Sequence, residues 1–170
     1  MTTANAVAGL LTPFGISWRT LAVTLLLLVS GHAANAQICT SSVTTPVFAN
    51  YRAAGADTAA NGSVSVSCVV LGVTGQSVSY TVKLELGAQS LGTQRRMLSG
   101  GQYLRYNVYC DSGLQNIWAD GGASTCVQTG GQAGLLGTLL TVFPVYGNIP
   151  AGQFVPAGIY TDTIAVQVLY

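Results

Sequence analysis

Charge is scarce in this chain. Lys, Arg, Asp and Glu make up 6% of its 170 residues, where an ordinary soluble domain carries about 25%. Histidine occurs once, at His32, and the formal net charge is +1. With so few cations there is no basic face to meet a polyanion, which excludes nucleic acid as a partner. No apolar run reaches the roughly 18 residues that span a bilayer. No stretch sustains the 3.6-residue periodicity of an amphipathic helix. What these absences leave is a neutral surface of the kind that associates with other protein.

Arg19 precedes the apolar run LAVTLLLLV (Leu21 to Val29), and ANA (Ala34 to Ala36) follows as a small-x-small cleavage site. Charge, short apolar core and cleavage site in that order read as a secretory signal peptide over residues 1–36. The stretch ahead of Arg19 is long and neutral, which leaves the true start open. Cleavage after Ala36 leaves one exported domain, 37–170, with no membrane span. His32 and Arg19 depart with the leader. Arg52, Lys83, Arg95, Arg96 and Arg105 then balance Asp57, Glu85, Asp111, Asp120 and Asp162, for an expected mature charge of zero.

Four cysteines stay in that domain: Cys39, Cys68, Cys110 and Cys126. In an exported chain an even count reads as disulfides, and three pairings are formally possible. Chain order suggests Cys39–Cys68 and Cys110–Cys126, each worth roughly 3 kcal/mol on loop-entropy reasoning. A metal site would want a C-x-x-C or histidines to share the coordination, and neither is present. No metal and no cofactor is expected.

Period-two alternation, the mark of half-buried strands, recurs throughout. SVSVSCVV sets Val64, Val66, Cys68 and Val70 against Ser63, Ser65 and Ser67. VSYTVKLEL sets Val78, Tyr80, Val82, Leu84 and Leu86 against Ser79, Thr81, Lys83 and Glu85. LRYNVYC buries Leu104, Tyr106, Val108 and Cys110 and exposes Arg105 and Asn107. A less regular apolar stretch runs from Leu135 to Tyr146. At the close, Ile164, Val166, Val168 and Tyr170 alternate with Thr163, Ala165, Gln167 and Leu169. VTTPVFANY is a weaker strand, which Pro46 restricts to an edge or bulge. Turn signals separate these runs: NGS at Asn61, LGVTG around Gly72, SGG at Gly100, GGQAG at Gly130 and IPAGQFVPAG from Ile149. About six or seven short strands with such punctuation predict an all-β antiparallel sandwich.

Catalysis finds little to stand on. Without His32 there is no imidazole to serve a serine or cysteine nucleophile. Lys83 lies on the polar face of a strand beside Thr81 and Glu85, where a solvated lysine is expected. Asp111 and Asp120 flank SGLQNIWA and read as loop carboxylates rather than an acid–base pair. The glycine pairs lack a P-loop lysine or a strand–helix context. NGS matches a glycosylation sequon, but an Asn-Gly turn is the preferred reading. Trp118 has two readings, an exposed aromatic on a binding loop or a ring packed on a Cys110–Cys126 bridge, of which packing is favoured. The chain is not read as an enzyme.

YNVYCDSGLQNIWADGG (Tyr106 to Gly122) and VYGNIPAGQFVPAGIYTDTIAVQVLY (Val145 to Tyr170), with the opening CTSSVT and the VSVSC strand, resemble the spore coat protein U domain. That domain also forms the subunits of archaic chaperone–usher pili. The resemblance covers essentially the whole of 37–170. It implies an immunoglobulin-like sandwich that lacks its last strand and leaves a groove over the core. A periplasmic chaperone would fill that groove first, and a neighbouring pilus subunit would replace it at the outer-membrane usher. Ile164, Val166, Val168 and Tyr170 should then line one wall, with the Tyr170 carboxylate anchoring in the chaperone. The physical basis is β-strand addition, in which main-chain bonds satisfy an edge and alternate side chains enter pockets.

The resemblance further implies export through the periplasm to a fimbria or the cell exterior, with roles in adhesion and biofilm. A donor extension needs about five residues, or ~17 Å. Ahead of Cys39 the mature chain offers Gln37 and Ile38, spanning about 7 Å. The expectation is therefore a subunit that accepts a strand but gives none, as at a tip or terminus. Two rival readings stay open. One is a self-complete secreted coat or matrix protein. The other is a small carbohydrate-binding module that uses Trp118 and Tyr103 as surface contacts.

Overall fold

The computed structural model describes residues 36–71, 76–135 and 137–170. The expected leader, and the turn around Gly72, lie outside the described residues. Ten strands form and no helix is found among the described residues. In chain order they are β1 (Ala36–Thr44), β2 (Thr58–Leu71), β3 (Gln76–Leu84), β4 (Arg95–Ser99) and β5 (Gln102–Tyr109). There follow β6 (Ile117–Trp118), β7 (Thr125–Cys126), β8 (Gln128–Leu135), β9 (Gly137–Ile149) and β10 (Val166–Leu169).

Two sheets result. The first runs β1-β2-β9-β5-β6-β7 with β4 also on β5, and the second runs β10-β3-β8. All ladders are antiparallel except the short β6–β7 pair, so the expected antiparallel sandwich carries one parallel exception. The order β1-β2-β9-β5 reproduces the A-B-E-D sheet of an immunoglobulin fold, and β3 and β10 take the places of C and F. The alternation read from sequence is what closes the core. Val64, Val66 and Cys68 of β2, Val78, Tyr80 and Val82 of β3, and Leu104 and Val108 of β5 are all buried. Removing that apolar surface from water is the main force holding the sheets together.

Of the five turn signals read from sequence, those at Asn61 and Gly130 prove to be something else. Asn61 and Gly62 lie inside β2, paired with Tyr146 and Val145 of β9. Gly62 is there for space, because a Cβ would collide with the Thr44 carbonyl and Pro46. Gly130, in β8, sits directly opposite Tyr80, whose ring lies where a Cβ would be. Glycine inside a strand marks such a close approach as readily as a turn. The SGG turn does form, joining β4 to β5 with Gly100 and Gly101 at φ 53° and 81°, the left-handed pair that tight hairpins require.

VTTPVFANY does not extend as a strand. Pairing stops at Thr44, and Phe48 beyond Pro46 turns its ring edge-on to Tyr106, 6.0 Å between centroids. Asn107, expected on an exposed face, is buried. β4 and β9 both pair with β5, and the Asn107 Oδ1 accepts the Arg95 N–H at 3.0 Å. Disulfides join Cys39 to Cys68 and Cys110 to Cys126.

Candidate functional site

The second sheet is unfinished on one side. β10 pairs with β3 through Val166↔Leu84, Gln167↔Lys83, Val168↔Val82 and Leu169↔Thr81, and among the described residues nothing pairs with its other edge. Directly opposed residues in an antiparallel ladder share a face, so Val166 and Val168 point the same way as Leu84 and Val82. Yet Leu84 and Val82 are buried, whereas Val166 and Val168 are half-buried. Ile164, just ahead of the strand, packs on the core in the same half-covered way. In the immunoglobulin order, this uncovered edge is the place of strand G beside F.

The edge of the first sheet is equally short of cover. Val43 of β1 faces inward opposite the buried Val64 but is 47% exposed. An open cavity of about 650 Å³ lies at the end of the sandwich near the close of β9, bounded by Phe48, Tyr51, Met97, Leu104, Val155 and Tyr160. That cavity is separate from Ile164, Val166 and Val168, none of which lines it. An unpaired strand edge such as that of β10 is the kind of edge to which another strand can be added.

Tyr170 stands apart from the other three residues expected to line the groove. It lies past the last paired residue, is 67% exposed, and makes no part of the apolar cluster.

Trp118 is not a surface contact. It is 0% exposed, its indole N–H donates to the Val82 carbonyl at 3.1 Å, and its ring meets Phe143 edge-on at 6.3 Å. An indole whose polar end is satisfied inside the protein has no reason to face water. Its strand residue pairs with Cys126. Tyr103 does lie at the surface, 41% exposed, but its ring is covered by the Arg96 guanidinium 4.3 Å from the centroid. The structure therefore does not bring Trp118 and Tyr103 together as a binding face.

The aspartates serve as loop staples. Asp111 accepts from the Gln115 and Asn116 backbone N–H groups and the Asn116 side chain. Asp120 accepts from Gly122 and Thr125, and Asp57 from Ala151 and Asn148. Backbone donors hold all three carboxyls below the usual range, led by Gln115, Gly122 and Ala151 respectively. No group of side chains suited to a metal ion is found among the described residues.

Sequence reasoning missed one cluster, on the β4–β5 ladder beside the approach to β10. Arg95 is 0% exposed. Its Nη2 donates to the carbonyls of Glu85 at 2.7 Å and Trp118 at 2.8 Å, and its Nε to Glu85 at 3.2 Å. Burial lowers its pKa, opposed by the nearby Tyr106 and Asp162. Tyr106, its cross-strand neighbour, donates its hydroxyl to Asp162 Oδ2 at 2.7 Å. Burial, aided by that bond, pushes the phenol well above its ordinary value. The only sequence signal was an arginine two residues from the buried Met97, on a strand whose alternation is too short to read.

Known proteins share this outline. Residues 23–167 match the Spore Coat Protein U domain, beginning within the stretch read as a leader. Protein U of Myxococcus xanthus is 30% identical over 128 residues, covering 74% of this chain and 67% of that protein. Among solved structures, the chain is similar in fold to one from the CsuC–CsuE chaperone–tip adhesion subunit pre-assembly complex of the archaic chaperone–usher Csu pili of Acinetobacter baumannii. There the TM-score is 0.51 at 16% identity, over 79% of this chain and 40% of that one. With the match to residues 23–167 and the likeness to Protein U, the chain belongs to the Spore Coat Protein U domain family.

Proposed function

We propose that this protein is an exported structural subunit of a surface fibre, completed by a β-strand from another chain along the free edge of β10. One observation carries the reading: paired residues of β3 and β10 share a face, yet only those of β3 are fully covered. A strand beside β10 would satisfy its edge main chain and cover Val166 and Val168. The likeness in fold to a chain of a chaperone–subunit complex from chaperone–usher pili supports a periplasmic chaperone as the first occupant, and an usher and neighbouring subunits as later ones. The role is structural and not catalytic, with residues 1–36 acting as the export signal.

A terminal or tip position fits the N-terminal strand. From Gln37, the first residue after the proposed cleavage, to Thr44 every residue of β1 is registered on β2, and Cys39 is bridged to Cys68. That stretch is engaged within its own domain and is not available as a donor.

The test is thermal unfolding of the oxidised protein with and without an added strand. The probe is a synthetic peptide of about ten residues alternating Val or Ile with Ser or Thr, long enough for one strand. A rise in Tm that grows with peptide concentration is expected. A monomeric, stable protein indifferent to every such peptide would overturn the reading and leave a self-complete coat protein in its place.

A further inference from the structure

β10 is held to β3 by a ladder of only four residue pairs, and an edge strand this short has little to keep it in place. Its lead-in is fastened elsewhere. Thr161 and Leu98 of β4 exchange both main-chain bonds, at 2.9 and 3.2 Å. Asp162 then takes the Tyr106 hydroxyl on Oδ2 and the Thr163 N–H on Oδ1 at 2.8 Å. Gly87 lies flat against that carboxylate, where any Cβ would collide with it.

The partner strand is fastened by the same pair of residues. Glu85 sends its N–H to the Ala165 carbonyl at 2.9 Å, and its own carbonyl accepts from Arg95. Arg95 and Tyr106 face each other across the β4–β5 ladder. One cross-strand pair on the first sheet thus grips the end of β3 through Arg95 and the approach to β10 through Tyr106. Asp162 is an anionic group acting on the buried guanidinium, so the two grips are linked by charge as well as by position.

Taking β10 as the acceptor edge, as proposed above, we infer that Arg95, Tyr106 and Asp162 are positioning residues that hold β10 in register while its outer edge is empty. The groove wall then stands ready before a strand arrives, and the incoming strand does not have to order it. Pre-organisation of this sort removes an ordering cost from binding.

Amide hydrogen exchange on the folded, disulfide-bonded protein tests this without any ligand. Tyr106→Phe keeps the ring and deletes only the hydroxyl, and Asp162→Asn keeps the shape and deletes the charge. Each should speed exchange of those β10 amides that bond to β3 by about tenfold or more, the scale of a lost charge-assisted hydrogen bond. The β2–β9 amides should hold their wild-type rates. In the wild type and both variants, affinity for the alternating peptide is measured alongside. It should fall less than exchange rises, because the closed form still predominates. Unchanged β10 exchange, or acceleration equal to that of β2 and β9, overturns the clasp. Failure of the wild type to bind peptide overturns the acceptor reading but leaves the exchange result standing on its own.

Discussion

A lysine at position 168 distinguishes an open edge from a closed one. Val168 and Val82 are direct partners on one face, the first half-buried and the second 0% exposed. Fully burying a valine is worth about 1.5–3 kcal/mol, so partial cover puts the loss in Val168→Lys at about 1 kcal/mol. The long stem can lie along the groove while its ammonium reaches water past the unpaired edge. A domain stable by about 5–15 kcal/mol survives that. Val82→Lys forfeits the whole burial and strands an ammonium in the core, at a cost of several kcal/mol more, and should not fold.

Occupying the groove reverses the tolerance. A strand beside β10 would trap the ammonium introduced by Val168→Lys, and even about 2.7 kcal/mol of that cost is about a hundredfold in affinity. Urea unfolding of the two variants and titration with the alternating peptide measure both halves. The reasoning is refuted if Val168→Lys unfolds the protein as Val82→Lys does, for then the edge is already covered. It is equally refuted if Val168→Lys binds the peptide like the wild type, for then no strand sits there.

Other outcomes follow from the geometry. Trp118→Phe deletes the donor to Val82 and leaves a void, and should cost about 2–4 kcal/mol in urea unfolding with no change in any surface binding. Gly130→Ala forces Tyr80 aside and should cost about 1–3 kcal/mol, with the near-ultraviolet circular dichroism of the tyrosines changed. Reducing Cys110–Cys126 and Cys39–Cys68, separated by 16 and 29 residues, should cost about 3 and about 3.6 kcal/mol on loop entropy, read as a lowered denaturation midpoint in dithiothreitol. Tyr106 stays neutral when folded but ionises near pH 10 when unfolded, so its contribution is complete below that pH and lost above it. The wild-type advantage over Tyr106→Phe should therefore shrink by up to about 1.4 kcal/mol per pH unit beyond 10, seen by comparing their unfolding at pH 9 and 11.

Strands with clean alternation were legible: β2, β3, β5 and the closing run all lie within or beside the stretches where apolar residues recur at every second position. β1 was not, because AQICTSSVT has too few apolar residues to show a period and owes its strand to nine registered pairs with β2. Gly62 and Gly130 misled because a glycine that makes room and a glycine that makes a turn look alike in sequence. The half-buried face at Ile164, Val166 and Val168 was visible in the alternation, whereas Tyr170 kept the period but ran past the last pairing partner. Arg95 and Asn107 were hidden because burial of a polar group depends on which carbonyls and amides the fold brings to it. Trp118 could be weighed both ways from sequence, and the Val82 carbonyl decided it.

The placement of the Cys39–Cys68 bridge makes the two ends of the domain mechanically unequal. A pull on the exported domain at Gln37 can unzip only the pairs of Gln37 and Ile38 before it loads a covalent link between adjacent strands. A pull at Tyr170 meets four residue pairs and no covalent stop in β10. Under tension the bridged edge is covalently held at Cys39, whereas β10 is held by its ladder to β3, so the compliance of the domain is expected on the β10 side.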